Sequence, residues 1–120
     1  MTRERLPPRR PSVTVTGTWP HDDGVRLDIS ISFGSDGKPR EIFARARRPD
    51  SDLDAVADDG AVLASMLLQH GASLEEIAHS LGRSSEGRPT SVIGAIVDVA
   101  RKIEAELRGP HLVETAGRAP

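Results

Sequence analysis

No cysteine occurs in the 120 residues, and that single absence removes disulfides, thiolate metal sites, cysteine nucleophiles and dithiol redox chemistry. Aromatic side chains are nearly as scarce, with one Trp, two Phe and no Tyr. The core must therefore be built from interdigitating Val, Ile, Leu, Ala and Met. Neither sign of charge dominates: 16 Lys and Arg stand against 18 Asp and Glu, for a formal net charge of -2. Such a chain exerts no global pull on a polyanion. Nucleic acid or a membrane surface would need a local basic patch, and the charge balance argues against both as partners. Long apolar runs are missing too. Nothing approaches the roughly 20 residues that span a bilayer, and no apolar stretch follows the basic N-terminus, so the reading is a cytoplasmic protein.

What is present fits one domain, since domains typically hold roughly 100–150 residues. Met1–Pro11 mixes charge with Pro7, Pro8 and Pro11, which deny it helix and ladder hydrogen bonds, so residues 1–11 are expected to be a disordered basic arm. From Ser12, SVTVTGTW sets Val13, Val15, Gly17 and Trp19 against Ser12, Thr14, Thr16 and Thr18, the period of a half-buried strand. VRLDISISF repeats that period, with Val25, Leu27, Ile29, Ile31 and Phe33 on one face. Asp36-Gly37 signals a turn, and REIFARAR then reads as a third strand paired to the second. Its Ile42, Ala44 and Ala46 share a face while Phe43 lies on the other, so both faces are expected to be partly covered.

After Pro49 the period changes to 3.6. Ser51 and Asp54 read as a capping box opening a helix with Leu53, Val56, Gly60, Leu63 and Leu67 along its inward stripe, until Gly71 stops it. Gly60 costs that helix about 1 kcal/mol relative to Ala, which suggests close approach of another backbone. Ser73 and Glu76 form a second capping box, for a short helix that turns Leu74, Ile77, Ala78 and Leu81 inward and ends at Gly82. A last helix, capped by Thr90 or Ser91, carries Val92, Ile96, Val97, Ala100, Ile103 and Leu107 at helical spacing. Residues 109–120 lack a period and are expected to be a loose tail. Strands followed by helices imply an α+β domain over residues 12–108, an antiparallel three-stranded meander with three helices packed on one face.

Catalytic signatures are absent. The histidines at 21, 70, 79 and 111 have no two-ligand helical spacing. Acidic groups at 22–23, 50/52/54, 58–59 and 75–76 make a paired acid/base site formally available, but none is singled out: helix starts account for 52, 54, 75 and 76, and 58–59 read as a solvated face. Neither a nucleophile elbow nor a phosphate-cradling glycine loop occurs, so no catalytic residue, metal or cofactor is expected. GASLEEIAHSLGRS looks like the opening of a helix-turn-helix. However, Arg83–Pro89 is longer than the 3–4-residue turn of that motif, and the next helix starts with apolar residues.

GKPREIF, SDLDAVADDGAVLASMLLQHGASLEEIAHSL and GRPTSVIGAIVDV together resemble the TSCPD domain. That module lies at the C-terminal end of adenosylcobalamin-dependent ribonucleotide reductases and also occurs as small free-standing proteins. The likeness covers roughly Val25 to Ile103. The stretch that ends in Cys-Pro-Asp in the family reads Arg48-Pro49-Asp50 here, so no thiol stands at that helix start.

The resemblance implies a non-catalytic accessory or regulatory module that binds a reductase, another protein or a second copy of itself. A ribonucleoside-diphosphate reductase and a DNA-binding regulator using Arg83, Arg88, Arg101 and Lys102 are the alternatives. The first lacks its cysteines and the second its charge. The expected interface residues are Val13, Val15 and Trp19 near a sheet edge, with Arg83 and Arg88 in the loop.

Overall fold

The computed structural model describes residues 12–21, 24–48 and 51–108. The expected arm and tail lie outside these residues. Three strands, β1 (Ser12–Trp19), β2 (Val25–Phe33) and β3 (Pro39–Ala46), form one antiparallel sheet in the order β1-β2-β3. Alternation places Val25, Leu27, Ile29, Ile31, Ile42, Ala44 and Ala46 on the inner face, all buried. Thr14, Thr16, Arg26, Phe43 and Arg45 take the outer face and are exposed. The β2–β3 turn is built by Gly37, whose φ of +80° suits a residue without Cβ, and by the Asp36 carboxylate, which accepts the Lys38 N–H at 3.0 Å. The outer face stays polar: Thr14 and Ser30 hydroxyls bond at 2.8 Å, and Asp28 gathers Thr16, Arg26 and Arg47. Phe43, 55% exposed, is uncovered, which corrects the expectation of two covered faces for β3.

Helix α1 (Asp52–Gln69) follows, then α2 (Leu74–Ser80) and α3 (Val92–Arg108). α3 buries Val92, Ile96, Val97, Ala100 and Ile103, as its spacing predicts, and Ser91 caps it by accepting the Gly94 N–H. The Ser73/Glu76 box is complete on both sides. α2 ends at Leu81, in extended backbone, so the expected Gly82 cap is one residue late.

The largest correction concerns α1. Its buried residues are Asp54, Ala57, Gly60, Ala61, Ala64, Ser65, Leu68 and Gln69, whereas Val56, Leu63 and Leu67 of the expected inward stripe are exposed. Two stripes with the same helical period run along this helix, one of large side chains and one of small. Close packing chose the small one. A Cβ at Gly60 would stand 2.4 Å from Cγ1 of Ile93 on α3, so the close neighbour is a side chain and not a backbone. Periodicity finds a helix but cannot rank two faces with the same period.

Candidate functional site

α1 lies along the outer edge of β3 and does there what a fourth strand would do. Ser65 Oγ accepts the Ile42 N–H at 2.8 Å, and its proton lies between the carbonyls of Ile42 (3.0 Å) and Ala61 (2.8 Å). Asp54 accepts the Ala46 N–H at 2.9 Å, and the Gln69 amide donates to the Arg40 carbonyl at 3.0 Å. Sheet edges expose rows of backbone groups that invite another strand, and these three side chains engage the outward groups of Arg40, Ile42 and Ala46 on this side. Small residues elsewhere on that face allow the helix to come near enough.

Asp54 is therefore only half of the expected capping box. Ser51 does accept the Asp54 N–H, but the Asp54 carboxylate turns to the strand. Arg45 bonds both of its oxygens, at 2.9 and 2.6 Å, and this holds the Asp54 carboxyl below its ordinary value of 3.8, against the opposing effect of burial. The same contact pushes the Arg45 guanidinium up. Arg47 holds Asp28 below its ordinary value in the same way. These are clamps, and none leaves a carboxylate poised to exchange protons near neutrality.

With its small face buried, α1 presents Leu63 (61% exposed), Val62, Leu67, Val56 and Met66 outward. The register set by Asp54 on Ala46 and Ser65 on Ile42 brings exposed Phe43 level with the turn that holds Val62. Asp52, Asp58 and Asp59 flank this surface at the N-terminal end of the helix and are exposed. Scattered surface apolar residues are ordinary, but a contiguous set of large ones marks an interaction site.

The residues expected at an interface fall into two places. Val13 and Val15 are half-buried along β1, the other edge of the sheet. Trp19, at the end of that strand, is buried and meets His21 edge-on at 4.7 Å between ring centroids. Arg83 and Arg88 belong to a tight turn between α2 and α3, closed by an antiparallel bridge between Arg83 and Pro89. Arg83 bonds both oxygens of Asp98 on α3, so it pins the turn to the helix. Arg88 is exposed. This bridged turn replaces the short turn of a helix-turn-helix, and α3 opens with buried Val92. Arg101 also lies 3.8 Å from Asp98, which dilutes the basic cluster suggested for DNA.

An open groove of about 680 Å³ between α2 and α3 is lined by Ser73, Glu75, Arg101, Lys102 and Glu104 among others. Its charges are mixed, and its walls carry no nucleophile paired with a base. Among the described residues no three metal-ligating side chains gather, and no helix is long and apolar enough to cross a membrane.

The sealing trio Asp54, Ser65 and Gln69 was legible in principle. Positions 54, 65 and 69 are spaced by 11 and 4 residues, close to whole helical turns, so they form a polar stripe through an apolar helix. Compared with known families, residues 2–105 of the chain match the model of the TSCPD domain. No curated protein and no solved structure matches it.

Proposed function

The chain belongs to the TSCPD domain family, and from that premise we propose that it is a non-catalytic, protein-binding accessory module that docks through the outer face of α1. One observation carries the reading: the helix buries Ala57, Gly60, Ala61 and Ala64 and leaves Val56, Val62, Leu63, Met66 and Leu67 in solvent. An amphipathic helix whose large side chains point away from its own core is built to fill a groove on something else. The acidic rim of Asp52, Asp58 and Asp59 calls for a basic rim on that groove.

The partner the family resemblance favours is an adenosylcobalamin-dependent ribonucleotide reductase in the cytoplasm. The chain itself supplies no radical or reducing thiol, because it contains no cysteine. Ribonucleotide reduction therefore belongs to the partner. The purified chain is expected to show no reductase turnover with any cobalamin or dithiol.

The test is a photo-crosslinking amino acid placed at Val56 in the native cell, with Arg26 on the polar sheet face as the control position. Transfer to a reductase polypeptide from position 56 alone, abolished by Leu67→Glu in the same chain, is the expected result. Equal labelling from both positions, or none from position 56, overturns the reading.

A further inference from the structure

From the outer side of β1 we infer a second, separate function: this strand pairs antiparallel with β1 of another copy, making a six-stranded sheet across a two-fold axis. Ile42 and Ala46 turn their N–H groups toward α1, and Arg47 N–H bonds back to Arg26. With the alternation of an antiparallel ladder and the register of the sheet, this assigns Val13, Val15, Gly17 and Trp19 to the hydrogen-bonded pairs with β2. The backbone groups of Thr14, Thr16 and Thr18 therefore point away from the sheet. Among the described residues no further strand lies beyond them.

Natural edges are usually guarded by Lys, Pro, a bulge or a short strand. β1 has eight residues, none of them charged or proline, in a chain that is 28% charged. Its pairing with β2 runs without a shift, and the irregularity in the sheet falls at Ser32/Phe33 opposite β3. The apolar row behind the edge is also incompletely covered. Val13, Val15 and Gly17 are half-buried while every inner residue of β2 is buried, and Val99 of α3 lies over Gly17.

Charge selects the occupant and its direction. Arg9 and Arg10 precede the strand in sequence, and Asp22 and Asp23 follow it. In sequence order, antiparallel self-pairing runs the basic flank of one copy toward the acidic flank of the other, whereas parallel pairing runs like toward like. Only registers that oppose one outward-facing residue to another join the two ladders, and setting Thr14 of one copy opposite Thr16 of the other uses the strand from Ser12 to Thr18. In that register Val15 faces its own counterpart, and each α3 extends the cover over the partner's valines. The surface differs from the α1 face, so the two associations fail independently.

Sedimentation equilibrium at about 50 µM, where a dimer with a micromolar dissociation constant is populated, tests the inference. The wild type is expected at twice its 12.9 kDa mass, and Thr16→Pro, which removes an outward N–H at an edge position that tolerates proline, at the single mass. The double variant Thr14→Lys/Thr16→Lys, at two exposed positions, sets Lys opposite Lys across the two-fold and is likewise expected at the single mass, with unchanged circular dichroism. It decides the matter should the proline variant unfold. A monomeric wild type overturns the inference, and so does a dimer that survives the folded edge variants. A dimer dissolved by Leu63→Glu instead overturns it by moving self-association to α1.

Discussion

Along β3 the outward N–H groups of Ile42 and Ala46 meet Ser65 and Asp54 of α1, whereas along β1 the corresponding groups of Thr14, Thr16 and Thr18 meet no further strand among the described residues. The inner rows differ in parallel. Ile42, Ala44 and Ala46 are at most 3% exposed, and Val13 and Val15 are half-buried. A helix can replace a strand at an edge only by placing polar side chains at the right turns and small ones between them. That requirement explains why α1 spends its inward face on Ala, Gly, Ser, Asp and Gln and carries its large apolar residues outward. Bonding to one edge in this way creates the apolar surface by which the protein is proposed to bind, and among the described residues the other edge has no further strand.

The contrast is sharpest in the core rows. Ile42→Ala is expected to cost about 2–5 kcal/mol, while Val13→Ala, removing less buried surface, costs about 1 kcal/mol in the monomer. Urea unfolding at submicromolar protein compares them, and equal losses would erase the distinction between the edges. Next comes the seal itself. Ser65→Ala leaves the Ile42 N–H buried without its acceptor, a penalty of about 1–3 kcal/mol. Thr14→Ala, at an exposed site on β1, should stay within about 0.5 kcal/mol.

Gly60→Ala probes how closely α1 must approach. The added Cβ meets the branched base of Ile93, so overpacking of about 1–3 kcal/mol outweighs the roughly 1 kcal/mol gained in helix propensity. A more stable variant would show that the helix can stand further off.

Acid unfolding probes the same seam. The folded-state pKa of Asp54 lies below its ordinary 3.8. Its contribution is therefore complete above the unfolded value and is lost as pH falls through the folded one. Asp54→Asn should flatten the stability profile below about pH 4, and an unchanged slope there would deny Asp54 its role. Smallest of all, Leu63→Ala should stay within about 0.5 kcal/mol, against about 2–5 kcal/mol for buried Leu68→Ala.

Much of this fold can be read from residue order. The strands and their faces follow from strict alternation in SVTVTGTW and VRLDISISF, and the three helix starts follow from Ser51, Ser73 and the Thr90-Ser91 pair, of which Ser91 makes the cap. The face of α1 could not be read by hydrophobicity, because Leu63 and Leu67 outrank Ala61 and Ala64 on any such scale while steric room favours the alanines. The Asp54 contact pairs a helix start with a strand end, and spacing along the chain does not show which of two satisfied partners a carboxylate will choose. Val13 and Val15 are placed at an edge by sequence and by structure alike. Trp19 is buried and Arg83 is tied to Asp98, roles that depend on contacts remote in sequence.

Amide hydrogen exchange on the two edges, followed at about 1 and about 100 µM protein so as to bracket a micromolar dimer, tests the account most directly. The amides of Ile42 and Ala46 should be protected equally at both concentrations, because their partners lie in the same chain. Those of Thr14, Thr16 and Thr18 should exchange rapidly in the dilute sample and slow in the concentrated one. Exchange at the three threonines that is independent of concentration, or rapid exchange at Ile42 and Ala46, would contradict it.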